Sequence, residues 1–287
     1  MAKSILELDA PLEEKRIFQV RDGNMNETTD WIAREEPLEI KLEYGPGKNR
    51  TRMTLAITMR TPGNDYDLVR GFLFTEGIIL RNSHIRSIQY DLDLSPAQQQ
   101  LNSVVVSLAP DLPFETEKLN RHFYTSSSCG ICGKTSIEMV RMQSSFFPPK
   151  DAFSVKGDVI HNLPGLLMVK QSTFQQTGGI HAAALVTPDG QLLHVEEDIG
   201  RHNAVDKLIG WAMTKDMLPL RNHILFVSGR AGFELVQKAV MAGVTMFVAI
   251  GAASSLAIEL AQENQITLVG FLSTNKYNVY HGAERLE

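Results

Sequence analysis

Hydrophobic and polar residues alternate along two early segments of the chain, 38–44 and 53–59. A period of two is typical of strands with one buried face. Apolar residues then recur at helical spacing over 68–73, and strand-like runs follow at 85–92 and 101–108. The order strand, strand, helix, strand, strand predicts a small β-grasp-like (α+β) domain.

The second half of the chain alternates strands with helices. The predicted strands lie near residues 180–187, 192–196, 223–227, 246–250 and 266–271. The predicted helices lie near residues 163–175, 203–214, 233–242 and 255–262. This alternation is typical of a layered α/β domain with helices on both faces of a mixed sheet.

Changes in composition along the chain mark the predicted domain boundaries. Residues 1–30 are mostly polar and contain an Asp-Gly-Asn turn signal at 22–24, which together predict a loose leader. A Pro-containing connection at 109–114 separates the two folded parts. We therefore predict a leader over residues 1–30, a β-grasp-like domain over 31–120 and the α/β domain over 121–287.

Composition and charge narrow the possible function classes. The 287 residues are 43% hydrophobic and 21% charged, which is typical of a soluble globular protein. A formal net charge of -5 argues against a general nucleic-acid binder, which needs a cationic excess to displace counterions from phosphates. The N-terminus lacks a secretory signal, and the longest apolar run, 244–253, is too short to span a bilayer. We expect a cytoplasmic protein with no membrane segment.

The two cysteines of the chain, Cys129 and Cys132, lie close together in a Ser/Gly-rich stretch. Four interpretations fit such a pair: a structural disulfide, half of a zinc site, a thioredoxin-type redox couple, or a sulfur-carrying nucleophile. A reducing compartment disfavours the disulfide, and no second close cysteine pair completes a zinc site. A helix beginning near Gly133 and the charge of Lys134 would stabilise a thiolate, which favours the nucleophile.

A first polar cluster, 178–184, places a glycine pair before a predicted strand that contains His181. A zinc deaminase would need a glutamate where Ala183 stands, and its cysteine pair would follow the histidine along the chain. Deamination is therefore disfavoured. His181 is open to two interpretations, a buried core histidine or a site residue.

Two further polar clusters lie where predicted helices begin. They consist of Arg201, His202 and Asn203, and of Ser228, Gly229 and Arg230. Backbone N–H groups at such positions bind anions well, and an arginine adds a bidentate partner for phosphate. A solvated helix cap and a glycine used only for turn geometry are the alternatives. Taken together, the clusters indicate an anionic, nucleotide-like ligand.

Five motifs taken in order resemble those of one known family, the formate dehydrogenase accessory sulfurtransferases (FdhD). They are SCGICG at 128–133, GGIHAA at 178–183, DIGRHNAVDK at 198–207, SGR at 228–230 and TLVGF at 267–271. The resemblance runs from about residue 30 to the end of the chain. It implies a β-grasp-like domain joined to a cytidine-deaminase-like α/β domain, which agrees with the segment analysis above.

The resemblance also implies an activity. Members of this family take persulfide sulfur from a cysteine desulfurase and pass it to the molybdenum bis(guanine dinucleotide) cofactor, which then enters formate dehydrogenase. By position, Cys129 would hold the persulfide and Cys132 would assist or relay it. The family's cofactor-binding segment falls on Phe271, Leu272, Ser273, Thr274, Asn275 and Lys276.

Two positions depart from the family's pattern. Many relatives have arginine where this chain has Lys276, and 251–255 replaces a Ser-Ala-Pro-Thr-like turn. Lysine keeps the positive charge but loses the planar fork that suits phosphate or a guanine edge. We expect no metal ion held by protein ligands alone. A symmetric homodimer would suit a cofactor with two guanine ends.

Two rival functions share much of this evidence. A chaperone that holds the molybdenum cofactor without moving sulfur would use the same pocket and differ only at the cysteine loop. A thiol-disulfide oxidoreductase would use both cysteines as a redox couple and reduce a disulfide substrate. The fate of a sulfur atom on Cys129 therefore separates the three functions.

Overall fold

The computed structural model describes residues 10–47, 49–94, 101–110, 112, 146 and 154–287, so Cys129 and Cys132 lie outside the described residues. The strands are β1 (Leu12–Arg21), β2 (Asn24–Ala33), β3 (Glu36–Tyr44), β4 (Thr51–Arg60), β5 (Ile85–Tyr90), β6 (Ser103–Leu108), β7 (His181–Val186), β8 (Leu192–Asp198), β9 (Ile224–Val227), β10 (Met246–Ala249), β11 (Thr267–Gly270) and β12 (Asn278–His281). The helices are α1 (Asp65–Thr75), α2 (Gly157–Lys170), α3 (Ser172–Thr177), α4 (Arg201–Thr214), α5 (Phe233–Met241) and α6 (Ser255–Glu263). Within this part of the chain, no helix has the length and apolar character needed to cross a membrane.

Strands β1 and β2 form an antiparallel hairpin, so the prediction of a loose leader over residues 1–30 is wrong for residues 12–30. Arg21 pairs with Asn24, which leaves Asp22 and Gly23 as a two-residue loop. Both loop residues have positive φ, 52° and 79°, as a type I′ turn requires. The turn signal was therefore a hairpin signal, and the polar residues around it occupy a solvent-exposed ribbon.

A four-stranded sheet follows the hairpin, in the order β4-β3-β6-β5. Strand β3 is antiparallel to β4 and parallel to β6, with α1 between the two hairpins in sequence. The predicted order of strand, strand, helix, strand, strand is confirmed. Alternation in β3 buries Leu38, Ile40 and Leu42 completely, and these side chains join the main hydrophobic core.

The C-terminal part contains a six-stranded sheet in the order β12-β11-β10-β9-β7-β8. Strands β9, β10 and β11 are parallel, while β7, β8 and β12 run antiparallel to their neighbours. Helices α4, α5 and α6 pack on one face, and α2 packs on the other. The predicted mixed sheet with helices on both faces is confirmed, and the fold is of the mixed α/β class.

Helix α2 differs from the prediction of a single helix near residues 163–175. It begins six residues earlier, at Gly157, and ends at Lys170, so that Gln171 separates it from the short helix α3. Pro164 lies inside α2, where a proline removes one helical hydrogen bond. Ile160, Leu163 and Leu167 are buried against the sheet, and this packing holds the helix together on both sides of the proline.

Helices α1 and α4 cross closely enough to join the small sheet to the large one. A Cβ atom added at Gly71 would lie 1.8 Å from the backbone oxygen of Asp206. One added at Gly210 would lie 1.9 Å from the backbone oxygen of Asp67. Gly71 and Gly210 face each other and therefore allow the backbones of α1 and α4 to come into contact. This contact fixes the position of α4 against α1.

We expect Gly71→Ala to lower the free energy of unfolding by about 3 kcal/mol or more, because the methyl group forces the two helix backbones apart. Gly165→Ala in α2 is the matched control. A Cβ atom at that helical position meets nothing within 4 Å, so alanine should raise the free energy of unfolding by about 0.5–1 kcal/mol. Urea denaturation of both variants measures the difference. Equal stabilities would contradict the close crossing.

Candidate functional site

The C-terminal ends of the parallel strands β9, β10 and β11 lie at one edge of the six-stranded sheet. The segments that follow them are 228–230, 250–254 and 271–276. Strand β7 is antiparallel to β9, so His181 at its beginning lies at the same edge, as does the end of β8. Ligands of open α/β sheets bind at this edge. Four strand spacings, about 19 Å, separate β8 from β11, which is long enough for a dinucleotide-sized ligand.

Backbone hydrogen bonds tie the three loops into one surface. The Gly251 nitrogen donates to the Gly229 oxygen at 3.0 Å, and the Phe271 nitrogen donates to the Gly251 oxygen at 3.0 Å. A Cβ atom at Gly251 would lie 2.9 Å from the Cα atom of Arg230, so only glycine fits between the loops. The predicted clusters at 228–230 and 271–276 therefore belong to one continuous edge.

The Ser-Gly-Arg turn lies beside His181 and Arg201. A Cβ atom at Gly229 would lie 3.6 Å from His181 Nδ1 and 3.7 Å from Arg201 Cδ. The hydroxyl oxygen of Ser228 accepts a hydrogen bond from the Ala182 nitrogen at 2.9 Å, which leaves the hydroxyl proton available to a ligand. Of the two interpretations of His181, the structure therefore favours a position in the site.

Helix α4 begins at this edge, and the side chains of its first three residues, Arg201, His202 and Asn203, make different contacts. The first three backbone N–H groups of α4, at 201–203, have no acceptor among the described residues. His202 Nε2 lies 2.7 Å from a carboxylate oxygen of Glu234, at the start of α5. The second carboxylate oxygen of Glu234 is buried without a hydrogen-bond partner within the described structure. The Glu234 carboxylate therefore fixes the orientation of the His202 ring.

Asn203 connects the site to the small sheet. Its Nδ2 donates to the Met59 oxygen at 2.7 Å and to Asp198 Oδ1 at 3.1 Å, and its Oδ1 accepts from Thr58 at 3.2 Å. The side chain is only 8% exposed. Both donor hydrogens of the amide are used by the fold. Asn203, predicted to contact a cofactor, therefore has its amide occupied in positioning the start of α4.

A buried ion pair between Lys207 and Asp198 stabilises the start of α4. Lys207 Nζ lies 2.9 Å from Asp198 Oδ2 and also donates to the Thr61 oxygen at 2.9 Å. The Asp198 carboxylate accepts further hydrogen bonds from the Thr61 and Gly200 nitrogens. Both charged side chains are almost completely buried. Residues in the segment 198–207 thus form one hydrogen-bonded network that fixes the position of Arg201 at the start of α4.

The segment 271–276 forms a tight turn at the far end of the edge. Phe271 has a φ of 51°, a left-handed conformation that costs a non-glycine residue about 1–2 kcal/mol and that often marks functional sites. Leu272 is buried and anchors the segment in the core. The Ser273 nitrogen donates to the Lys276 oxygen at 2.9 Å and closes the turn. Phe271 and 274–276 remain exposed, so they are the part of this segment that can reach a ligand.

Three cations along the edge have no acidic partner among the described residues. They are Arg201, Arg230 and Lys276. Arg201 lies at the start of α4, and the other two are exposed on neighbouring loops. Uncompensated cations beside open helix N–H groups favour a ligand with several negative charges. The structure therefore brings the predicted residues of 201–202, 228–230 and 271–276 to one positively charged edge.

The charge of this edge also acts on His181. Burial first, and then the positive charges of Arg201 and His202, hold the pKa of its imidazole below the usual value of 6.5, with Asp198 opposing them. Because the folded-state pKa is the lower one, the unfolded chain takes up the proton more readily, and this group costs stability as the pH falls below 6.5.

We expect Arg201→Ala to raise the pKa of His181, because one of the repelling charges is removed. A bound polyanion should raise it as well, so binding should strengthen as the pH falls below 6.5. An NMR titration of the imidazole signals measures the change. His223 is the internal control, because burial alone lowers its pKa and the Arg201 substitution should leave it unchanged. A His181 pKa that does not move in Arg201→Ala would contradict this electrostatic account.

Some parts of the site were not predictable from sequence, and others stay predictions. Glu234 was missed because a single acid in the first turn of a helix is common, and only the fold places it against His202. The predicted roles of Cys129 and Cys132 lie outside the described residues. Within the described part of the chain, no group of three or more His, Cys, Asp or Glu side chains could hold a metal ion.

Known proteins with the same sequence pattern were found by comparison. The model of the FdhD/NarQ family matches residues 33–287. The sulfur carrier protein FdhD of Streptomyces coelicolor is 45% identical over 96% of this chain and 95% of its own length. The sulfur carrier protein FdhD of Sulfurisphaera tokodaii is 39% identical over 94% of this chain and 97% of its own length.

A solved structure shares the fold of this chain. It is the crystal structure of a protein assigned as a formate dehydrogenase accessory protein from Desulfotalea psychrophila, with a TM-score of 0.72 over 97% of this chain and 100% of that one. At 22% identity this similarity concerns the fold alone. The family model covers most of the chain, and the relatives match it over nearly their full length. The chain therefore belongs to the FdhD/NarQ family.

Proposed function

We propose that this protein is a cytoplasmic sulfurtransferase that supports formate dehydrogenase. It accepts persulfide sulfur from a cysteine desulfurase on Cys129 and transfers that sulfur to the molybdenum bis(guanine dinucleotide) cofactor. Family membership supports the sulfur-carrying part, because the relatives are named sulfur carrier proteins. The cofactor, the donor and the client enzyme are the finer steps of the proposal.

The observation that carries the proposal is the positively charged edge described above. The proposed substrate has two guanine dinucleotide arms, each with a diphosphate. Arg201 lies at the start of α4, Arg230 and Lys276 lie on loops of the same edge, and none of the three has an acidic partner in the part of the chain that the structure describes. A polyphosphate site requires such available cations. Ser228 has a hydroxyl proton to donate. Exposed Phe271 offers a ring on which a base can stack.

Loading of the carrier is a thiol exchange that needs no outside oxidant. The Cys129 thiolate attacks the terminal sulfur of the donor's cysteine persulfide. A new sulfur–sulfur bond forms on Cys129, the donor's sulfur–sulfur bond breaks, and the donor leaves as a thiolate. The two electrons of the broken bond go with the donor, so the carrier gains one sulfur atom and the donor loses it.

Delivery requires two electrons, because the carried sulfur must become sulfide before it can bind the metal. Cys132 supplies them by attacking Cys129. The Cys129–Cys132 disulfide forms, the bond to the terminal sulfur breaks, and hydrosulfide leaves toward the substrate. Uptake of one proton then allows an oxo ligand of the substrate to leave as water. A cellular thiol reductant restores the two cysteines.

Intact-mass spectrometry tests this proposal. After incubation with a cysteine desulfurase and cysteine, we expect the protein to gain one sulfur atom that a thiol reductant removes. Cys129→Ala should gain none, whereas Cys132→Ala should gain it and retain it longer than the native protein does. A protein that binds the cofactor but never gains sulfur would instead be a chaperone, and loading that survives Cys129→Ala would contradict the assigned carrier residue.

A further inference from the structure

His202 contacts a carboxylate through one of its two ring nitrogens. Its Nε2 atom lies 2.7 Å from a carboxylate oxygen of Glu234, at the start of α5. An ionised carboxylate only accepts hydrogen bonds, so Nε2 must carry a proton. The other nitrogen, Nδ1, has no hydrogen-bond partner among the residues that the structure describes, and 25% of the side chain is exposed. Nδ1 is therefore available to a ligand.

The Glu234 carboxylate is held in a position that folding alone does not explain. One of its oxygens contacts His202, and the other is buried without a hydrogen-bond partner in the described part of the chain. A buried polar atom that is left unpaired costs folding free energy, and such an atom in a native structure calls for a functional reason. The charge of Lys238, one turn further along α5, attracts the carboxylate. Lys238 Nζ itself contacts Asp206 at 2.8 Å, so the hydrogen-bonded partner of Glu234 is His202.

The His202 ring lies close to the other charged groups of the positively charged edge. The charge of His202 acts on His181, which also feels the charges of Arg201 and Asp198. The Asp198 carboxylate is paired with Lys207, so it does not neutralise the ring. The first three backbone N–H groups of α4 are open at the same place. A phosphate group bound to these N–H groups would therefore lie next to the ring.

We propose that Glu234 is a positioning residue, and that it makes the binding of a phosphate group at this edge require the uptake of a proton by His202. Nε2 of His202 donates to Glu234, and Nδ1 donates to a phosphate oxygen of the ligand. Both partners are acceptors only, so the ring between them must carry two N–H groups and a positive charge. The ring takes this proton from solvent when the ligand binds and returns it when the ligand leaves. The inference rests on the proposed function, because it takes the diphosphate of a guanine dinucleotide as the ligand.

The Glu234 carboxylate excludes the alternative in which His202 stays neutral. A neutral imidazole has one N–H group, and the carboxylate keeps that proton on Nε2. Nδ1 would then present a lone pair to the phosphate oxygen, which also carries lone pairs. The bound ligand therefore selects the imidazolium, whose charge-assisted hydrogen bond is roughly twice as strong as a neutral one. Because the complex holds one proton more than the free protein, affinity rises as the pH falls.

Isothermal titration calorimetry with guanosine diphosphate, in buffers of different ionisation enthalpy, measures the protons taken up on binding. In Glu234→Gln the amide can donate to Nε2, which allows a neutral ring to donate from Nδ1. We expect the affinity of this variant to stay within about tenfold of the unmodified protein, because a neutral hydrogen bond replaces a charged one. Near neutral pH it should take up fewer protons per ligand, by about half a proton or more.

A glutamate away from the edge provides the matched control. Glu263 is exposed at the end of α6, and this helix begins at the edge, so Glu263→Gln removes the same charge at a distance. Its proton uptake should equal that of the unmodified protein. His181 and the phosphate groups of the ligand contribute equally in all three proteins, so the difference between them isolates His202.

The outcomes separate this inference from the proposed function. If Glu234→Gln and the unmodified protein take up the same number of protons, the role of Glu234 is overturned and the nucleotide site stands. If the unmodified protein does not bind guanosine diphosphate, both are overturned. In a His202→Gln background, Glu234→Gln should cause no further loss of affinity. A further loss would show that Glu234 does not act through His202 and would overturn the inference.

NMR of the imidazole nitrogens tests the same inference without depending on how a Glu234 variant folds. The signals of His202 are assigned by their absence from the spectrum of His202→Gln. In the unmodified protein saturated with guanosine diphosphate near neutral pH, we expect both nitrogens of His202 to carry protons. In the Glu234→Gln complex the ring should be neutral, with its proton on Nδ1. A neutral His202 protonated on Nε2 in the complex of the unmodified protein overturns the proposal.

Discussion

Replacing Lys207 with methionine is expected to lower the free energy of unfolding by about 3–5 kcal/mol. The substitution leaves the Asp198 carboxylate buried without its cation, at a point where both side chains are almost completely inaccessible. The hydrogen bond from Lys207 to the Thr61 oxygen is lost as well. Since this network fixes the start of α4, binding of any ligand at Arg201 should weaken in parallel. Urea denaturation measures the stability change.

A lysine on the same chain segment provides the control. Lys215 follows α4 and is exposed, so Lys215→Met should change the free energy of unfolding by less than about 1 kcal/mol. Removal of both buried charges, by Asp198→Asn with Lys207→Met, should give a protein more stable than Lys207→Met alone. If Lys207→Met unfolds at the same urea concentration as the unmodified protein, the ion pair does not support the site.

Removal of the cations from the sheet edge is expected to weaken binding of guanosine diphosphate, a fragment of the proposed substrate. A hydrogen bond between charged groups contributes about 1.5–3 kcal/mol, so Arg201→Ala and Arg230→Ala should each weaken binding by about tenfold or more. The double variant should bind at least about a hundredfold more weakly, because the two side chains reach the ligand from different elements. Isothermal titration calorimetry at fixed salt concentration measures these affinities.

An arginine away from the edge provides the matched control for these variants. Arg86 is exposed on β5, in the small sheet, and Arg86→Ala removes the same charge from the protein as a whole. Its affinity for guanosine diphosphate should equal that of the unmodified protein. Equal loss in Arg86→Ala and Arg201→Ala would show that net charge alone drives binding and would remove the argument for a local site.

The sequence predicted the parts of the fold that depend on local pattern. Alternation at 38–44 identified β3, because one face of that strand packs into the core. The clusters at 201–203 and 228–230 were predicted to serve one anionic ligand, and the structure places both at one edge because β8 and β9 each run antiparallel to β7. Short apolar runs also predicted the three parallel strands of the six-stranded sheet, since β9, β10 and β11 are fully buried.

The features that the sequence did not predict depend on contacts distant along the chain. The β1–β2 hairpin was not predicted because nearly all its side chains are exposed. Neither face of the hairpin is buried, so the sequence shows no alternation of apolar and polar residues there. Asn203 was predicted to contact a ligand, and its structural role was not foreseen because its partners, Thr58 and Met59, lie in the other sheet. Glu234 was missed for the same reason, since only the fold sets it against His202.

The most direct test of sulfur transfer follows a loaded carrier as it meets its substrate. Protein carrying one extra sulfur is mixed with molybdenum bis(guanine dinucleotide) cofactor, and its intact mass is recorded over time. We expect the unmodified protein to lose the sulfur and acquire the Cys129–Cys132 disulfide, while Arg201→Ala with Arg230→Ala stays loaded. Delivery by the double variant at the native rate, or a native carrier that keeps its sulfur in the presence of the cofactor, would contradict the account.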